Sequence, residues 1–270
     1  MASSQQLKRK LLSIKTTEQL SGAMKTVSAA KYSHLIAMRK SHADYVALCR
    51  SLATGFHTAE MPCNPHAPVC YVILGSNRGL CGSYNSELLT FAEQQLRESP
   101  GALCVVCGKT AVSFFSAHAL PIYRQFTLPD IPTYEDCRML IEQVRDLYHE
   151  GTVSAVKLLF AAFVNPMKQQ PCVQTLLPAA PTDCAEQTEY LPLPDSQTVA
   201  QALQTRLTDT VLYDAVLEAA IGAQAATLNA MRTASDNAAE AAALLESEMN
   251  KRRQSEVTAG VLETYEGDNQ

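Results

Sequence analysis

The sequence predicts an α/β fold: an antiparallel coiled coil of long N- and C-terminal helices with an inserted α/β domain. Three observations carry this expectation. Proline is absent from Gln5 to Phe56 and from Thr198 to Tyr265, and both stretches repeat apolar residues at three- and four-residue spacing. At ~1.5 Å per residue, helices of those lengths reach roughly 75 Å and roughly 100 Å, and must pair with each other or with another chain. Between them, strand-like and helix-like runs alternate. The chain thus divides into an N-terminal coiled-coil helix over 1–60, a central α/β domain over 68–195 and a C-terminal coiled-coil helix over 198–270.

In the first helix, Leu7, Leu11, Ile14, Leu20, Met24 and Val27 form the expected apolar stripe, with Ala23 and Ala30 beside them. Gly22 is a weak point, costing about 1 kcal/mol relative to alanine. Met61-Pro62-Cys63-Asn64-Pro65 reads as a linker. Val69–Leu74 is apolar on both faces, as in a covered parallel strand. A glycine loop follows, then a helical run through Leu88, Leu89, Ala92 and Leu96. Leu103–Val106 is a second strand, followed by a helix through Val112 and Phe115. Thr133-Tyr-Glu-Asp136 resembles a capping box opening a helix that ends near Gly151. Val156–Phe163 and Cys172–Leu176 complete a largely parallel sheet, and Thr182–Ser196 reads as a polar loop. The last helix carries a seam of Leu212, Val216, Ala219, Ala223, Ala226 and Ala230, continued by Ala234, Ala238, Ala241 and Leu245 after a break in the heptad. Alanine in that seam lets two backbones approach closely.

Composition narrows the function. The 270 residues are 47% hydrophobic, enough for ordinary cores, and mean hydropathy is -0.07. No run approaches ~18 uninterrupted apolar residues, so no transmembrane segment is expected. The polar start, Met1 to Gln6, has neither a signal-peptide core nor an Arg/Ser-rich presequence, which points to a bacterial-type cytosolic protein. Nine cysteines without framework spacing read as free, mostly buried thiols. Net charge is -5, yet the first fifty residues carry nine basic side chains against Glu18 and Asp44. Three readings are open for that basic stretch: a solvated face, a nucleic-acid arm, or a charged rod working against acidic protein loops. No aromatics interleave with the charges and no nucleic-acid motif is present, so no nucleic-acid partner is expected.

The candidate motifs are weak. Gly108-Lys109-Thr110 sits where a phosphate loop would, but Leu103 stands in place of that loop's first glycine. Gly75-Ser-Asn-Arg-Gly-Leu-Cys-Gly82 lacks the dinucleotide spacing and suits a tight turn, with Arg78 either satisfying nearby carbonyls or meeting a partner. Cys104 and Cys107 have the spacing of a metal or redox pair, but on a strand they point to opposite faces. The six histidines show no paired-ligand spacing. No catalytic residue, cofactor site or metal site is expected, and the chain reads as a mechanical part.

Several segments carry a family resemblance. Leu7 through Lys31 resembles the start of the gamma subunit of F-type ATP synthase. Ser76-Asn-Arg-Gly-Leu-Cys-Gly82 and Gly108-Lys-Thr-Ala-Val-Ser-Phe-Phe115 are similar to motifs of that family's central domain. Ala230–Ala238, Asn250-Lys-Arg-Arg-Gln254 and Val257-Thr258 resemble its last helix. The resemblance implies a non-catalytic central rotor stalk, coupling transmembrane ion flow through rotation to ATP synthesis or hydrolysis on beta subunits. It implies as partners the hexameric ring of alpha and beta subunits, the epsilon subunit and the c-subunit ring, at the cytoplasmic face of the cell membrane as a peripheral protein. The interface residues it suggests are Arg252, Gln254 and Thr258, followed by Lys8, Arg9, Lys15 and Lys25, with Arg78 in the glycine loop. Two departures stand out. Gly222-Ala223 and Thr227 replace a Ser-Glu and an Arg usual in the family. The end, with Gly260 and Tyr265-Glu-Gly-Asp-Asn-Gln270, is acidic and is expected to fray.

Two further hypotheses make other demands. An α/β nucleotide-binding enzyme would bind ATP tightly as an isolated chain. A basic coiled-coil scaffold would bind nucleic acid with steep salt dependence.

Overall fold

A computed structural model describes the backbone of residues 4–54, 64–178 and 195–267, and the side chains of 5–52, 64–178 and 195–258. The Met61–Cys63 part of the linker, nearly all of the Thr182–Ser196 loop and the side chains beyond Thr258 lie outside those residues. The elements are α1 (Ser4–Thr54), β1 (Val69–Leu74), α2 (Tyr84–Glu98), β2 (Leu103–Cys107), α3 (Lys109–Ala117), β3 (Arg124–Phe126), α4 (Tyr134–His149), β4 (Ala155–Asn165), β5 (Lys168–Leu177) and α5 (Ser196–Gly267). The backbone of α5 is helical as far as Gly267, and the rest of the acidic end, 268–270, lies outside the described residues. One glycine, Gly260, costs only about 1 kcal/mol in a helix, and Val261, Leu262 and Glu263 follow it.

The chain forms two compact units, one from Ser28–Thr227 and one from Met1–Val27 with Leu228–Gln270. In the first, five strands run in the order β3-β2-β1-β4-β5. The pairs β1–β2, β1–β4 and β2–β3 are parallel. The fourth pair, β4–β5, is an antiparallel hairpin that the sequence reading did not separate from the parallel strands. Its tight turn, Asn165-Pro166-Met167-Lys168, lacks the Asn-Gly signal of a hairpin. Pro171 fits β5 because β5 is an edge strand. The other edge, β3, was also missed, being only three residues long and largely exposed.

Period-two alternation sends the strands' side chains into two cores. Cys70, Val72 and Leu74 of β1 join Val156, Leu158 and Phe160 of β4 under α4, with Leu35 of α1 and Leu212, Val216 and Leu217 of α5. Tyr71, Ile73, Cys104 and Val106 face the other way, against Leu89 and Ala92 of α2 and Ala111 and Phe115 of α3. Helix α4 starts at the expected capping box: Thr133 and Asp136 satisfy each other's backbone amides. One window of α5 is long and apolar enough to cross a membrane by composition, at a hydropathy of 1.2, but 61% of it is buried inside the protein. It is a core helix by its surroundings.

Within this unit α1 and α5 run antiparallel. Arg39 meets Asp214 and Glu218, and farther along α1 the His42 ring lies 3.5 Å from the carbonyl of Thr210, earlier in α5.

In the other unit the seam of α1 differs from the expected stripe. Leu7 and Ser21 are buried, and Leu11, Ile14, Glu18 and Lys25 are half-buried, a strict 4-3-4-3-4 sequence. Leu20 and Val27, expected to be core, are 61% and 53% exposed, and Leu12 is 69% exposed. The heptad phase begun at Leu7, Leu11 and Ile14 continues, while the apolar residues drift one position off it. On α5 the seam follows Met231, Ala238, Ala242 and Leu245, with Ala234 and Ala241 half-buried. Ser21 on α1 and the alanines of α5 suit close backbone approach at their own heights.

Candidate functional site

The outer helix pair carries most of the candidate interface residues. Lys15 Nζ lies 2.6 Å from Glu246 Oε1, and this hydrogen bond holds the ammonium above its ordinary pKa. With antiparallel helices and Lys15 opposite Glu246, Lys8, Arg9 and Lys10 stand level with Lys251, Arg252 and Arg253. These six cations make a collar at one height of the pair, and all but the half-buried Arg252 are exposed. Arg252 Nη2 donates to Glu248 Oε1 at 2.8 Å. Thr258 Oγ1 donates to the Gln254 carbonyl at 2.8 Å. Gln254 and Thr258, four apart, share a face of α5, whereas Arg252 and Gln254, two apart, do not. Lys25 is half-buried at a seam position.

The sequence reading missed the collar because its halves lie at opposite ends of the chain. It also placed two apolar residues of the outer surface in the core. Leu12, Leu20 and Val27 on α1, and Leu244 and Val257 on α5, all face outward. The signal that locates them is the phase of the heptad, not apolarity.

Arg78 belongs to the other unit. It projects from the loop joining β1 to α2, 72% exposed, with Nη2 3.8 Å from Asp130 Oδ2. The loop is rigidly based. Asn85, buried on α2, accepts from the Ser76 amide and donates to the Arg78 carbonyl. The Asn77 side-chain amide donates to the Leu128 carbonyl. Leu80 holds a φ of 63°, unusual for a branched aliphatic side chain. Asp130 also takes a 2.5 Å bond from Lys31 Nζ of α1. Burial pushes the Asp130 carboxyl up, but Lys31, Arg78 and Asn77 outweigh it and hold its pKa below the usual aspartate range.

The turn at Gly108 meets protein where a phosphate loop would meet phosphate. Gly108 adopts a φ of 97°, and a Cβ there would sit 2.5 Å from the Gly75 carbonyl oxygen. The Thr110 amide donates to the Ser76 carbonyl at 3.2 Å, and the Lys109 amide to Asn77 Oδ1 at 3.4 Å. These first amides of α3 are taken by the neighbouring loop.

Cys104 and Cys107 lie in the two opposite cores of the sheet. Burial pushes the thiols of Cys70, Cys104 and Cys137 up to about 12, which leaves them poor nucleophiles. Seven cysteines among the described residues are free, six of them buried; Cys63 and Cys184 lie outside those residues. Among the described residues, no cluster of His, Cys, Asp and Glu could hold a metal ion.

Residues 3–269 match the family model described as ATP synthase. Across 99% of its length the chain is 31% identical to the ATP synthase gamma chain of Rubrobacter xylanophilus, covering 98% of that protein. It is 32% identical to the ATP synthase gamma chain of Moorella thermoacetica, over the same shares of both chains. The fold is similar to the rotor of Euglena gracilis mitochondrial ATP synthase, with a TM-score of 0.67 and 16% identity, covering 94% of this chain and 98% of that one. It is also similar to a chain in the central stalk and c-ring structure of Tetrahymena thermophila mitochondrial ATP synthase. That match has a TM-score of 0.64 and 19% identity, and covers 80% of this chain and 99% of that one. With the model matching nearly end to end, the chain belongs to the ATP synthase gamma chain family.

Proposed function

We propose that this chain is the central rotor stalk of an F-type ATP synthase. It carries no catalytic site of its own. The outer helix pair turns inside a hexamer of alpha and beta subunits, and the sheet unit, with the epsilon subunit, stands on the c-subunit ring. Ion flow through the membrane turns the stalk, and its asymmetric surface biases each beta subunit through its nucleotide states. That is allosteric coupling by differential contact. The assembly sits at the cytoplasmic face of the cell membrane, with this chain peripheral to it.

The observation that carries this reading is the surface of the outer pair. Leu12, Leu20, Val27, Leu244 and Val257 are exposed, and the basic collar stands on the same pair. An aliphatic surface beside cations suits a bearing built from apolar and acidic protein loops. Arg252, Gln254 and Thr258 are the residues we assign to catching those loops, with Lys8, Arg9, Lys15 and Lys25 supporting them and Arg78 acting from the glycine loop.

Native mass spectrometry of the chain co-expressed with alpha and beta subunits of its own organism tests the reading. A complex of alpha, beta and this chain in the ratio expected of a hexamer around one stalk supports it. Folded partners that never bind the chain sink it. Arg252→Ala combined with Gln254→Ala is expected to impair coupled ATP synthesis and to leave the isolated chain folded. An unchanged synthesis rate in assembled membranes counts against the assignment of these two residues.

A further inference from the structure

One turn of α5, around Glu218, is fastened to three other elements at once. The carboxylate is only 16% exposed. Its Oε2 accepts from Arg39 Nη2 of α1 at 2.5 Å, and its Oε1 accepts from the Phe163 backbone amide of β4 at 2.9 Å. Phe163 lies where the β4–β5 register shifts. Arg39 also grips Asp214, one turn earlier on α5, with Nε to Oδ1 at 3.1 Å and Nη2 to Oδ2 at 3.2 Å. Immediately after Glu218, the buried Tyr84 hydroxyl of α2 donates to the Ala219 carbonyl at 2.9 Å. One turn on, Gly222 has no side chain, and a Cβ there would stand 3.2 Å from Tyr84 Cε2 and 3.3 Å from Gln169 Cγ.

Apolar packing holds a helix against a sheet, yet it tolerates small rotations of the helix about its own axis more readily than hydrogen bonds do. Aliphatic contacts are non-directional. Hydrogen bonds to charged groups are directional and lose strength steeply when bent. A carboxylate on α5 bonded on one side to α1 and on the other to a strand amide opposes axial twist in both senses. The tyrosine bond and the glycine contact add further stops on the same turn.

We propose that Glu218 is the torsional key of this subunit: a positioning residue that locks the α1–α5 pair to the sheet, so that twist passes between them without slip. The proposal rests on the rotor reading for its function, while the lock itself is a property of this chain alone. Glu218 touches no nucleotide and performs no chemistry.

Glu218→Ala removes both bonds. Glu218→Gln keeps an oxygen for the Phe163 amide and loses the ion pair with Arg39. Tyr84→Phe removes only the hydroxyl that binds Ala219. In assembled complexes in inverted membrane vesicles, the number of ions pumped per ATP hydrolysed is the readout. Simple destabilisation lowers the amount of complex and scales both activities together, leaving that ratio alone. Glu218→Ala is expected to lower the ratio about threefold or more, with Glu218→Gln between it and the parent and Tyr84→Phe smaller still. An unchanged ratio in assembled Glu218→Ala overturns the key. Should that variant fail to assemble, Glu218→Gln and Tyr84→Phe decide, and parental ratios in both overturn it equally. Hydrogen exchange of the Phe163 amide in the full chain gives an independent check. Protection falls in Glu218→Ala if the lock exists, and parental protection overturns the proposal. Failure of the parent chain to assemble sinks the rotor reading instead, and the exchange result still judges the lock.

Discussion

The outer helix pair and the sheet unit are built from the same two helices, yet they bury different things. Around the sheet, α1 and α5 contribute Leu35, Leu212, Val216, Leu217 and Ile221 to a core shared with α4 and four strands. In the outer pair the same helices bury Ser21, Ala238 and Ala242 beside a few larger residues, and turn Leu12, Leu20 and Val27 outward. Its cross-helix salt bridge from Lys15 to Glu246 is about half exposed on both sides and is screened by solvent. The sheet unit leaves Leu48, Leu80, Met139, Val164 and Met167 exposed as well, but around a broad core. The outer pair has only a narrow seam to set against its exposed aliphatic residues, so the difference separates a foundation from a working surface.

The largest effect should come from cutting into the foundation. Leu158 of β4 is fully buried, and Leu158→Ala is expected to destabilise the chain by about 2–5 kcal/mol in urea unfolding. The matching truncation in the outer pair, Leu20→Ala, is expected to shift the same curve by no more than about 0.5 kcal/mol. Equal losses at the two sites would erase the contrast. Leu20→Ala should instead weaken assembly with alpha and beta subunits.

Next comes Gly108→Ala. The change forces a side chain into a φ of 97° and against the Gly75 carbonyl. A loss of about 2 kcal/mol is expected, read as a lowered thermal midpoint. A neutral result would mean that the two loops part easily.

Acid should then find the sheet unit through Asp130. Its folded pKa is depressed below the ordinary value of 3.8. The stabilisation is therefore present above that value and is lost as pH falls toward the folded pKa. Asp130→Asn is expected to be less stable near neutrality and to show a shallower decline of stability below about pH 4. Parallel curves for parent and variant would dismiss Asp130 as an anchor.

The smallest effect is a gain. Ser21 occupies a buried seam position, and Ser21→Ala trades a weaker helix former for the best one. Stability should rise by about 0.5 kcal/mol in urea unfolding. A loss would show that the seam serine holds a bond worth keeping.

The fold was largely legible because its strongest signals are local. Absence of proline, heptad spacing and the Thr133–Asp136 capping box are all read within a few turns of chain. The hairpin escaped because its turn uses Asn-Pro-Met-Lys, and β3 because three edge residues carry no alternation. The seam of α1 is legible from Leu7 to Ile14 and not beyond, since Leu20 and Val27 are apolar but stand one position off the heptad phase. The site was less legible. Glu218 looks like any helix-surface glutamate, and its partners Phe163 and Arg39 stand 55 and 179 residues away. The collar likewise joins both ends of the sequence. Such constellations are set by tertiary pairing, which local pattern cannot express. The glycine at 222 was visible in the sequence; that a Cβ there would stand 3.2 Å from Tyr84 Cε2 and 3.3 Å from Gln169 Cγ was not.

Where it buries Ser21, Ala238 and Ala242, the seam of the outer pair also sets a gauge. Helix axes pack about 8–10 Å apart depending on the side chains between them, and small residues favour the lower figure. A stalk that turns within a sleeve, as proposed, has a fixed bore to fit. Each methyl group added at Ser21, Ala238 or Ala242 would thicken it on all sides at that height. Outward-facing positions can vary one at a time, because each meets the sleeve alone. The seam has no such freedom, and the tolerances of the machine are written there in the smallest side chains.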